Sequence, residues 1–271
     1  MSSTAIPDPG GAGSWLRRHR PRSAPRVRLV CLPHAGGSAS AYHGWAAALP
    51  ADVELVALQY PGRQDRFGEP CVEGMAEMAD AVTAALLPLT DRPIALFGHS
   101  MGAAVAYEVA LRLEGRHQAG PRHLFVSAQV APSRWNRGED LHLLDDASMV
   151  AGVGGLGGMD ERVLTDPDLL PLSLPSLRAD LRIIETYRPS HRQRVRAPVT
   201  AYSGDSDAGV PVADLAAWSE LTSTQFALRI FEGGHFYLLR QQRELLADIT
   251  ARLSVVRNAV RSGVDSAKRG E

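Results

Sequence analysis

Six short apolar runs recur along the chain: VRLVCL (27–32), VELVALQY (53–60), IALFG (94–98), HLFVSAQV (123–130), PVTAYSG (198–204) and FALRIF (226–231). Each is continuous rather than alternating in polarity. A strand with one wet face alternates, whereas a strand covered on both faces does not. The six are therefore expected as strands of a sheet held between two outer layers. Longer stretches with helical spacing separate them, among them the Ala-rich segment after Ser100. Alternation of this kind predicts a mostly parallel central sheet flanked by helices.

One interval breaks the rhythm. From Ala131 to Arg194 no strand pattern occurs; a Gly-rich piece (Gly152, Gly154, Gly155, Gly157, Gly158) leads into Leu- and Pro-rich helical segments. Such a stretch is too long for a structureless loop in a compact domain. It is expected as a helical insertion over the sheet. Leu177, Leu181 and Ile184 fall at i, i+4 and i+7, one helix face, whose simplest use is core packing. The glycines lack the strand, GxGxxG, helix order of a nucleotide site and are expected to connect rather than bind. The expected organisation is a disordered basic tail (1–26), a core (27–130 and 195–253), the insertion (131–194) and a polar C-terminal tail (254–271).

Composition adds exclusions. At 45% apolar and 22% charged residues the chain has the make-up of an ordinary globular protein. A net charge of −1 gives no overall field for nucleic acid or an anionic membrane. The basic residues from Arg17 to Arg28 are expected as a solvated tail rather than a nucleic-acid arm. Cys31 and Cys71, the only two cysteines, cannot build a disulfide framework, and neither has a Cys or His at metal-ligand spacing. There is no run of 18 apolar residues and no secretory signal pattern, so a cytoplasmic protein with no membrane partner is expected.

The chemistry begins at Gly98-His99-Ser100-Met101-Gly102, a GxSxG motif. The pentapeptide alone is weak; its place, between a buried strand and an Ala-rich helix, is what a nucleophile elbow requires. Small residues must flank a serine in so tight a turn, and the helix N-terminus beneath it favours developing negative charge. A serine hydroxyl needs a base. Of nine histidines, His235 in Gly233-Gly234-His235 follows the last expected strand and so reaches the same rim. His99 is expected to pack or bond locally. An acid must hold the imidazole; Gly204-Asp205-Ser206-Asp207 offers two, and Asp207, with more loop to cross, is favoured over Asp205. The order Ser, Asp, His is that of the α/β-hydrolase fold. Its oxyanion hole needs two backbone N–H groups, assigned by position to Met101 and, in the loop Pro33-His34-Ala35-Gly36-Gly37, to Ala35. His34 is expected only to shape that loop.

The segments LPHAGGSASAYHGWAAALP, LQYPGRQDRFGEP, FGHSMGAAVAYEVA, LPSLRADLRIIETYR and FEGGHFYLL together resemble the type II, or editing, thioesterases of polyketide and nonribosomal peptide synthases, from about Val27 to Leu253. The block Leu177–Arg188 is more telling than GxSxG, which many hydrolases share. The resemblance implies Ser100, Asp207 and His235 as the triad, Ala35 and Met101 as oxyanion donors, and the insertion as a lid. It implies an acyl thioester on the phosphopantetheine of an acyl or peptidyl carrier protein as substrate. No metal or cofactor is implied, since phosphopantetheine belongs to the partner. Arg188, Arg192, Arg194 and Arg196 offer a cationic patch for an acidic carrier. Three other outcomes stay open from the residues alone: a carboxylesterase or lipase, an acyltransferase, and a catalytically silent binding module.

Overall fold

The computed structural model describes residues 12–135, 140–154, 166, 168–189 and 193–267. Its centre is a seven-stranded sheet in the order β1-β3-β2-β4-β5-β6-β7. The strands are β1 (Leu16–Arg17), β2 (Val27–Leu32), β3 (Val53–Leu58), β4 (Ile94–His99), β5 (Leu124–Ser127), β6 (Val199–Gly204) and β7 (Phe226–Phe231). All neighbours pair in parallel except β1, which is antiparallel to β3. All six expected strands form. Their unbroken apolarity has the expected cause, because alternate side chains feed two separate cores. Val30, Leu32, Leu96 and Val126 join one core, with α2 (Met75–Leu86) and α3 (Met101–Arg116). Leu29, Cys31, Phe97 and Phe125 join the other. Helix α1 (Trp45–Ala48) covers that second face, together with α8 (Gln242–Ala267).

The chain runs from β2 outward to β3, then returns across β2 to β4 and continues through β5, β6 and β7. Its direction thus reverses between the neighbouring strands β2 and β4. Such a switch point opens a crevice at the carboxyl ends of the strands, where ligands of open α/β sheets bind. Between β5 and β6 the described residues contain no strand. They contain α4 (Asp146–Gly154) and α5 (Leu169–Thr186), with short 3₁₀ turns before them. Met149, Val153, Leu177 and Leu181 pack together as a small third core. Gly155, Gly157 and Gly158 of the glycine run lie outside the described residues. The later helices α6 (Val212–Ala216) and α7 (Tyr237–Arg240) are short.

One boundary needs correction. Residues 16–26 are not a loose tail: β1 adds a strand to the sheet, Trp15 is buried, and its carbonyl accepts the N–H of Gln59 at 2.9 Å. Four of the six arginines in the basic cluster are paired within the fold. Arg17 pairs with Asp65, Arg18 and Arg28 with the fully buried Glu54, and Arg26 with Asp52. Composition could not reveal this, because the acids lie in distant segments. At the other end the polar segment after Leu253, expected to fray or to extend the last helix, extends it as far as Ala267. No helix among the described residues is long and apolar enough to cross a membrane.

Candidate active site

Ser100 stands between β4 and α3 with φ 53° and ψ −124°. Its N–H bonds the carbonyl of Ser127 at 2.8 Å and its carbonyl accepts the N–H of Ala103 at 2.8 Å, so both neighbouring elements hold the turn. The flanking glycines are obligatory by contact. A Cβ on Gly98 would lie 2.1 Å from the Gly102 carbonyl oxygen, and one on Gly102 would lie 2.2 Å from that of Leu32. Met101 opens α3, so its N–H is one of those a helix leaves without an internal acceptor.

The histidine reaches the same rim by equally tight packing. Gly233 has φ 127°, and its carbonyl oxygen would lie 2.0 Å from a Cβ on Gly204, so only glycine lets the β6 and β7 loops touch. His235 Nδ1 is 2.8 Å from Asp207 Oδ2, with both side chains nearly buried. Asp207 also accepts the N–H of Gly209 at 3.1 Å. Asp205 turns away from His235 and accepts the N–H of Gly233 and the hydroxyl of Ser206. Those two bonds hold its carboxyl below the usual aspartate range. Of the two acids, then, only Asp207 contacts the imidazole.

A cavity of about 350 Å³ opens in front of these groups, lined by Ser100, His235, His34 and Ala35. Its far wall includes Val130, Val153, Leu181 and Ile184, so the helical face expected only to pack also walls the cavity. Ala35 lies in a turn closed by the Gly37 N–H on the His34 carbonyl at 2.9 Å, with Gly36 at φ 74°. His99 lies behind His235, ring centroids 5.3 Å apart, and bonds the Ser127 hydroxyl through Nδ1. Burial first, and then His235 and His34 nearby, hold it well below the usual histidine range, so it is a neutral packing group. The Ser127 hydroxyl in turn meets the Tyr237 hydroxyl at 2.8 Å. This buried chain escaped the sequence reading, since Ser127 and Tyr237 carry no motif.

Of the arginines suggested as a patch, Arg188 donates to the Glu185 and Tyr187 carbonyls, Arg194 to the Glu220 carbonyl and Arg196 to the Glu114 carbonyl, with Arg194 and Arg196 exposed. Arg192 lies outside the described residues. Among the described residues no cluster of three His, Cys, Asp or Glu side chains suits a metal ion.

The chain matches the family described as "Thioesterase domain" over residues 27–253. It is 45% identical over 249 residues to Thioesterase PikA5 of Streptomyces venezuelae, covering 92% of this chain and 88% of that one. The solved type II thioesterase BorB from the borrelidin biosynthetic cluster is similar at TM-score 0.83 and 43% identity, over 89% of this chain and 98% of its own. YbtT, a type II thioesterase from the yersiniabactin NRPS/PKS pathway, is similar at TM-score 0.80 and 29% identity, over 89% and 99%.

Proposed function

The chain belongs to the thioesterase family, among type II hydrolases of polyketide and nonribosomal peptide biosynthesis, and on that premise we propose that Ser100, His235 and Asp207 carry out its hydrolysis of carrier-bound acyl thioesters. With Nδ1 donating its proton to Asp207, the imidazole keeps Nε2 as the free base. Ser100 Oγ attacks the thioester carbonyl carbon as its proton passes to His235. The resulting oxyanion is met by the N–H groups of Ala35 and Met101, and Asp207 stabilises the imidazolium. Collapse breaks the C–S bond, the thiol leaves with the proton from His235, and the acyl group stays on Ser100 as an ester. Water then gives its proton to His235 and attacks the ester; the acid departs and the serine recovers its proton.

The observation that carries this reading is the 2.8 Å contact of Asp207 with His235 beside the cavity that Ser100 lines. At about 350 Å³ that cavity is near the small end of ordinary ligand sites, ~300–1,000 Å³. It favours short acyl groups of the kind that stall a carrier, with α4 and α5 acting as the lid. The partner is an acyl or peptidyl carrier protein, which brings its own phosphopantetheine, and the site of action is the cytoplasm, where such synthases work.

The test is hydrolysis of acetyl-, propionyl- and longer acyl carrier proteins by wild type and Ser100→Ala. Wild type should release the acid and Ser100→Ala should not. Turnover retained in Ser100→Ala would show the nucleophile to be wrong, and a strong preference for p-nitrophenyl esters over acyl carrier would favour a general esterase.

A further inference from the structure

Two buried charged side chains, Arg63 and Asp180, take no part in the reaction described above. Asp180 lies on α5 and Arg63 in the loop after β3. They meet in a two-pronged ion pair, Nη1 to Oδ2 at 2.5 Å and Nη2 to Oδ1 at 2.9 Å. The distinctive feature is what else they hold. Asp180 Oδ2 accepts the N–H of Gly36 at 2.8 Å, and Arg63 Nη1 donates to the carbonyl of Gly37 at 3.0 Å. One N–H and one C=O of the turn that carries Ala35 are thus gripped by the two halves of a single ion pair. Leu177, three residues before Asp180 on the same helix, seats the turn as well. Its Cδ1 would lie 3.1 Å from a Cβ on Gly36.

Burying an ion pair adds little net stability compared with apolar packing, and its best-attested use is to fix one arrangement among several. Here the arrangement concerns the peptide plane between Ala35 and Gly36. The Ala35 N–H lies in the preceding peptide unit, whose His34 carbonyl accepts the Gly37 N–H at 2.9 Å, so gripping Gly36 and Gly37 holds that unit too and narrows the directions open to the Ala35 N–H. We propose that Asp180 and Arg63 are positioning residues that aim the Ala35 N–H at the developing oxyanion and couple that aim to the seating of α5. When α5 lies over the cavity the donor is aligned; when α5 lifts, Asp180 leaves Gly36 and the alignment goes with it. The inference rests on the reading of Ala35 as an oxyanion donor.

It is tested with Asp180→Asn, which preserves shape and one acceptor oxygen, and with Arg63→Lys, whose point charge cannot span the same set of oxygens. Deleting a whole oxyanion donor lowers kcat about 10²–10³-fold, so a misaimed donor should lower it about 10–100-fold. KM for acyl carrier should stay within about threefold. Labelling of Ser100 by a fluorophosphonate, whose P–O group uses the same donors, should slow in step with kcat. Wild-type kcat in a folded variant overturns the proposal, as does a loss confined to KM, which would mean that the pair affects substrate binding only. Collapse of both variants, with no folded molecule of impaired turnover, also counts against it. The underlying reading fails separately, if wild type does not hydrolyse acyl carrier or Ser100→Ala still does.

Discussion

Ser100 is held at φ 53°, a backbone region that costs a residue with a side chain about 1–3 kcal/mol. The sheet tolerates that cost because the bonds that Ser100 donates to the Ser127 carbonyl and accepts from the Ala103 N–H leave the turn no alternative. The motif GxSxG was legible because both glycines are demanded by contacts within a few residues or with one adjacent strand. The choice between Asp205 and Asp207 was only half legible, since both sit in one loop and differ in which way the side chain points. That difference is testable at single residues. Asp207→Asn should present the wrong partner to His235 Nδ1 and lower kcat about 10³–10⁴-fold, with little change in KM. Asp205→Asn keeps an acceptor for Gly233 and should leave kcat within a few-fold. Steady-state kinetics on one acyl carrier substrate checks both, and equal losses would contradict the assignment.

At the level of elements, β5 and β6 are tied at the amino end of β5, away from the site, by a buried histidine. His123 Nε2 bonds the Thr200 hydroxyl at 2.8 Å and its ring stacks on Phe125. Burial, with Arg252 adding and Asp248 opposing, lowers its pKa to about 4. The unfolded chain takes up this proton near pH 6.5, whereas the native protein resists until about pH 4. Its contribution is therefore fully present above pH 6.5 and is lost as the pH falls towards 4, by about 3 kcal/mol at most. Denaturant unfolding at pH 7 and pH 4.5 should show a smaller loss for His123→Gln than for wild type; identical losses would exclude this source. Helix α5 shows what periodicity alone reveals. The spacing of Leu177, Leu181 and Ile184 identified one buried face, but not that Leu181 and Ile184 line one cavity while Leu177 presses on Gly36. Helical spacing says which side chains point together and is silent on what they face.

For the whole molecule, the N-terminal segment is where composition misled most. Arginine, proline and glycine in 1–26 suggested disorder, yet Trp15 is only 8% exposed and lies under the Arg66 guanidinium, 4.5 Å from its ring centroid. Trp15→Ala should destabilise by about 3 kcal/mol, the lower end for removal of a buried aromatic. That corresponds to a Tm lower by about 5–10 °C in a chain of this size. An unchanged Tm in a thermal melt would mean the segment is as loosely held as its composition suggested. The sequence by itself determined the six parallel strands, the interrupting helical segment, the serine turn and the histidine rim, because strand burial and tight turns are written in runs of neighbouring residues. Only the tertiary structure decided the carboxylate partner of His235, the strand hidden in the basic segment, and the ion pair that grips the turn of Ala35. Each of those depends on groups far apart in the chain whose meeting is set by packing, and local pattern carries no record of distance in space.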